Sequence, residues 1–167
     1  MQTLSPTRLS LELRRGTSQD LKLRRIGIAL SFAGAAIGAI VGAYQTGLIR
    51  RLPDILPGKV WDAEKVDASD YAYENLQMPD GPQMLINYGI TAALLAAGGK
   101  DRARQNPALP VATLAKTVFD LALAGVLAKK EWQQNKALCS WCQVATALSA
   151  VSIALALPEA LKAMRRA

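Results

Sequence analysis

Residues 26–49 form a run of 24 positions without one charged side chain. A helix rises about 1.5 Å per residue and the hydrocarbon of a bilayer is about 30 Å thick, so about 20 such residues cross it. Comparable runs recur. Residues 83–99 and 137–157 are uncharged, and residues 106–128 carry only Lys116 and Asp120. Mean hydropathy is a modest +0.14 because densely charged connections alternate with these runs. The pattern predicts an all-α polytopic membrane protein, a single four-transmembrane-helix bundle over residues 26–160.

Charge sets the expected orientation. Residues 1–25 hold Arg8, Arg14, Arg15, Lys22, Arg24 and Arg25 against Glu12 and Asp20, and read as a partly disordered basic tail. Residues 100–104 and the tail 161–167, with Lys162, Arg165 and Arg166, are also basic. In the loop 50–82, acids outnumber bases seven to four. Basic segments stay in the cytoplasm. Both termini are therefore expected there, with loop 50–82 outside, as in a bacterial inner membrane protein. The short 129–136 connection, with Lys129, Lys130 and Lys136, is the exception. The net charge of +7 does not imply nucleic acid, because the bases flank apolar runs without a recognition motif or aromatic platform.

The first run carries Gly34, Gly38 and Gly42, with Gly27 one heptad earlier. Small residues at this spacing let a second backbone approach closely, either within the bundle or across a dimer seam. Val41-Gly42-Ala43 weakly resembles a signal-peptide cleavage site, but the run is longer than a usual h-region and reads as a retained anchor. On the third run, Lys116 and Asp120 lie at i, i+4. They are expected to neutralise each other, with a proton-relay carboxylate as the functional alternative.

Cys139 and Cys142 are the only cysteines, and the chain has no histidine. They open the fourth run as Leu138-Cys139-Ser140-Trp141-Cys142-Gln143. Two thiols three residues apart can cycle between dithiol and disulfide. First-turn amides and the nearby lysines are expected to favour thiolate. A structural zinc site usually takes four ligands, so one chain cannot close it and no metal is assigned, a dimeric site aside. Inert apolar cysteines are the remaining alternative. A dithiol at a membrane surface needs a two-electron partner, and a lipid-soluble quinone is the natural one. Cys139, Cys142, Gln143 and Thr146 share one helical face. With Gln83, Asn87 and Thr91 on the second run, Gln143 and Thr146 could hold a quinone carbonyl, or simply join helices.

These residues resemble the vitamin K epoxide reductase family. The resemblance runs through Asp67-Ala68-Ser69-Asp70-Tyr71-Ala72-Tyr73, then Pro79-Asp80-Gly81-Pro82, then the Leu138-Cys139-Ser140-Trp141-Cys142 opening of the last run. It covers roughly residues 26–160. It implies a four-helix bundle around a quinone (menaquinone, ubiquinone or vitamin K-like) with the dithiol at its outer, periplasmic end. Cys142 would face the quinone, Cys139 would exchange disulfides, and Ser69 would help cap the quinone site. Family members usually carry a second cysteine pair in the first loop, which relays electrons to a thioredoxin-like partner. Here loop 50–82 has none, and Ala63 stands where one is expected. An external small thiol or thioredoxin-like protein must then reach Cys139 directly. The alternative is a non-catalytic membrane subunit or quinone-binding protein that keeps the fold.

Overall fold

The computed structural model describes residues 5–165. Arg166 of the expected C-terminal tail and the first four residues of the N-terminal one lie outside the described residues. The N-terminal segment is helical rather than disordered. Helix α1 (Pro6–Arg15) starts with Ser5 capping the Arg8 amide and Pro6 in its first turn. Helix α2 (Gln19–Gln45) follows at once, capped by Ser18. Arg25 of α2 folds α1 back by donating to the Leu13 carbonyl at 2.7 Å and that of Gly16 at 2.8 Å. A guanidinium at a helix C-terminus satisfies carbonyls that have no intrahelical partner.

The loop after α2 holds the short helix α3 (Ala63–Asp67) and a 3-10 turn, Asp70–Tyr73. Helix α4 (Asp80–Ala96), the short α5 (Arg102–Gln105), α6 (Ala108–Asn135) and α7 (Ser140–Met164) complete the chain. The long helices pack in a ring: α2 lies against α4 and α7, and α6 against α4 and α7. Three of them, α2, α6 and α7, are long and apolar enough to cross a membrane. Helix α4 has 17 residues, which is about 26 Å of helix. Large apolar side chains face outward on the ring, among them Phe32 (64% exposed) and Phe119 (65%).

The helices extend beyond several of the expected spans. Helix α6 continues through 129–135, which the charge pattern assigned to a connection. Glu131 and Asn135 turn inward there, and Lys136 ends the helix in the left-handed conformation at φ 52°. Helix α7 runs through Pro158 to Met164, because Glu159, Ala160 and Ala163 are buried and hold the segment on the bundle. Glu159 takes a bidentate contact from Arg102, at 2.9 and 2.7 Å. Arg102 and Arg24, both buried, cap the end of α4. Arg102 donates to the Leu94 and Ala97 carbonyls, and Arg24 to those of Leu95, Ala97, Gly98 and Gly99.

The glycine stripe of α2 packs along α4 within the chain. A Cβ at Gly34 would lie 2.5 Å from the Tyr88 ring, and one at Gly42 would lie 2.8 Å from Pro82. A dimer through Gly34, Gly38 and Gly42 would have to displace α4 from this face.

Candidate functional site

Cys139 is the N-cap of α7, and its sulfur accepts the Cys142 amide at 3.3 Å. The cap places both thiols on the first turn, as the spacing predicts, and both are free. Loop 52–67 is folded over this turn. Asp54 accepts from the Ser140 hydroxyl at 2.6 Å and, through its other oxygen, from the Ala63 amide at 3.0 Å. Trp141 donates its indole N–H to the Pro53 carbonyl at 3.0 Å. Val60 and Asp62 exchange backbone hydrogen bonds with Leu138 at 2.9 and 3.0 Å. Leu52, Ala63, Val66, Tyr71 and Ala72 complete a buried cluster around Cys139, which has no exposed surface.

Acids, not lysines, face the dithiol. The Asp67 Oδ1 atom lies 4.0 Å from the Cys142 sulfur. Its carboxylate and both sulfurs lie within 4.8 Å of one another, three donors where a structural zinc site usually takes four. Asp67 is fully buried, and its Oδ2 atom has no hydrogen-bond partner. Burial pushes its carboxyl up to about 7, a hydrogen bond from Cys139 opposes the rise, and Asp80 and Asp54 add to it. Glu131 of α6 accepts the Cys139 amide through one oxygen and the Gln143 amide, at 3.4 Å, through the other. Lys129, Lys130 and Lys136 are exposed, and Lys130 pairs with Glu74 at 3.2 Å. The ammonium groups expected to favour thiolate therefore point elsewhere, because α6 continues past them and turns Glu131 inward instead.

Cys142 opens onto a cavity of about 430 Å³ between α4, α6 and α7, lined also by Tyr71, Asn75 and Leu76 of the loop. Its wall is mainly apolar, with Met84, Leu123, Ala124 and Leu127. This matches the size and lining of small-molecule sites. Of the residues singled out from sequence, Gln83, Asn87, Gln143 and Thr146 all stand in this wall with Cys142. Thr146 donates to the Cys142 carbonyl at 2.9 Å, and Gln83 to the Asn75 and Met78 carbonyls at 3.1 and 2.9 Å. Ser69 does not line the cavity. Its hydroxyl closes the turn after α3 on the Val66 carbonyl at 2.6 Å. Lys116 and Asp120 meet at 2.5 Å, and Lys116 also reaches the Asn87 carbonyl and the Thr91 hydroxyl. Asp120 is part of the cavity wall.

Four residues of the site, Asp67, Tyr71, Tyr88 and Glu131, carry no role in the sequence reading, although Asp67 and Tyr71 stand in the loop motif. Tyr88 bonds the Ala145 carbonyl at 2.5 Å and lies 2.9 Å from the Ser149 hydroxyl, joining α4 to α7 in the cavity wall. Its signal was the smooth patch at Gly34, where its ring sits. Tyr71 donates to the Leu127 carbonyl at 3.1 Å and ties the loop to α6.

Fold and site define an α-helical membrane protein with a free dithiol beside a mostly apolar cavity. Residues 25–157 match the profile of the Vitamin K epoxide reductase family, and the chain belongs to that family. The family consists of membrane thiol–disulfide oxidoreductases linked to quinones. No curated protein and no solved structure matches the chain.

Proposed function

We propose that the chain couples the Cys139/Cys142 dithiol to a quinone held in the cavity between α4, α6 and α7. One observation carries the reading: Cys142 stands in the wall of a mostly apolar cavity of about 430 Å³. In the oxidising direction the two thiols form a disulfide, and their electron pair and two protons convert the quinone to hydroquinone. Gln83, Asn87, Gln143 and Thr146 offer donors to the quinone oxygens, where charge develops on reduction. A menaquinone, ubiquinone or vitamin K-like ring fits the chemistry of the wall equally.

In this reading α4 is the fourth span. Its outward Ile86 and Ile90 support that assignment, as do the buried guanidiniums that end it. Both termini lie in the cytoplasm of a bacterial cell, and Cys139 and Cys142 lie near the periplasmic face. A small thiol or a thioredoxin-like protein exchanges with Cys139 directly, because loop 50–82 holds no cysteine.

The test is quinone reduction by the purified protein in lipid, with dithiothreitol as electron donor. Dithiol-dependent turnover is expected in wild type and lost in both Cys139→Ser and Cys142→Ser. Turnover unchanged by both substitutions, or absent from wild type across several quinones with the thiols shown reduced, overturns the reading in favour of a non-catalytic subunit.

A further inference from the structure

Three acids surround the dithiol, and two of them have both oxygens engaged. Asp54 holds Ser140 with one oxygen and the α3 N-terminus with the other. Glu131 holds the Cys139 amide and the Gln143 side chain. Both are acceptors that fix the loop and the first turn of α7. Asp67 is different. It is fully buried, its Oδ2 atom has no partner among the described residues, and its carboxylate otherwise meets only the two thiols, Cys142 at 4.0 Å from Oδ1 and Cys139 beside it. A buried carboxylate oxygen left without a donor is unfavourable and calls for an explanation, of which a catalytic role is one. The groups that face Asp67 are Cys139 and Cys142 of α7, Asp54 of the loop and Asp80 of α4. Glu131 of α6, Tyr44 of α2 and Tyr71 of the 3-10 turn complete the set. None is a cation, so among the described residues no ion pair explains the carboxylate.

We propose that Asp67 is a catalytic residue of this chain: its carboxylate takes the proton of the Cys142 thiol as the dithiol closes to a disulfide. This rests on the thiol–quinone reading of the site. The Cys142 S–H bond breaks, and its proton goes to Asp67. The Cys142 thiolate then bonds to the quinone ring. The Cys139 sulfur attacks the Cys142 sulfur to form the S–S bond, the bond to the ring breaks with its electron pair left on the quinone, and the Cys139 proton goes to a quinone oxygen. Asp67 releases its proton as the quinone becomes hydroquinone. In sum, two electrons and two protons move from dithiol to quinone. A base that titrates near neutrality is the kind such a step uses, and burial holds the Asp67 carboxyl at about 7.

The experiment follows oxidation of the pre-reduced full-length protein by a short-chain ubiquinone in lipid, against pH, in wild type, Asp67→Asn and Asp67→Glu. Wild-type rate is expected to rise with pH through about 7. Asp67→Asn should fall by about 100-fold and lose that rise, and Asp67→Glu should keep it. Alkylation of Cys142 by iodoacetamide, read by mass spectrometry, gives a second measure that needs no quinone. The inflection that Asp67 imposes near pH 7 should likewise disappear in Asp67→Asn, leaving only the steady rise from ionisation of the thiol itself. An Asp67→Asn protein within threefold of wild type, or one with the same pH dependence of alkylation, overturns the role of Asp67. If Asp67→Asn does not fold, an Asp67→Glu protein without the rise overturns it. Wild-type protein that reduces no quinone yet shows the Asp67-dependent alkylation overturns the quinone reading alone.

Discussion

Replacing Asp67 by asparagine removes one ionisable group at nearly constant shape, and the structure sets how stability must then depend on pH. Burial raises this carboxyl from the ordinary 3.8 to about 7. Between those values the unfolded chain has lost its proton and the folded chain still holds it. Each pH unit in that window therefore shifts the balance toward the unfolded state by about 1.36 kcal/mol. The whole window amounts to about 4 kcal/mol, fully lost above about pH 7. Asparagine does not titrate. The stability of Asp67→Asn relative to wild type should thus grow by about 4 kcal/mol between about pH 4 and about pH 8, or roughly 10 °C in Tm for a chain of this size. Thermal unfolding in detergent, followed by tryptophan fluorescence, reads this directly, since Trp61 and Trp141 anchor the loop beside the dithiol. A Tm difference that stays level across this range would show that Asp67 is ionised in the folded protein at low pH, and the argument from burial would fall. A variant that is more stable at high pH yet slower marks a residue kept for chemistry.

Other outcomes follow from the same contacts. Asp120→Ala leaves Lys116 without its anion in the bundle and should lower stability by about 3–5 kcal/mol, whereas Lys116→Met with Asp120→Leu should restore most of it; Tm in detergent separates the two. Gly34→Ala drives a methyl into the Tyr88 ring and should lower stability by about 1–3 kcal/mol, seen as a Tm loss of several degrees.

Three of the expected spans, α2, α6 and α7, were legible because a bilayer demands uncharged length, and the dithiol because its spacing and helix-start position are local. The helix ends were less so. Arg24, Arg102 and Glu159 look like boundary charges in a hydropathy profile. In the fold they are buried caps that let α4 end and α7 continue past Pro158. Lys129 and Lys130 suggested a loop, and one helical turn more carried Glu131 into the site. Gln83, Asn87, Gln143 and Thr146 were found because polar residues in an apolar run stand out. Asp67 did not stand out among seven loop acids, since which loop residue folds inward depends on contacts distant in the chain. Asp54 with Ser140, 86 positions apart, is one such contact.

The strap of residues 52–67 over Cys139 makes loop opening part of any exchange. In the proposed exchange, a thiol partner reaches the buried Cys139 only in the fraction of molecules with the Asp54–Ser140 and Leu138 bonds broken. At low partner concentration the rate scales with that fraction, and at high concentration it levels off at the opening rate itself. On the proposed function, the strap would thus insulate the dithiol from bulk thiols. A partner that prises it open by binding gains selectivity that the sulfur chemistry alone does not provide.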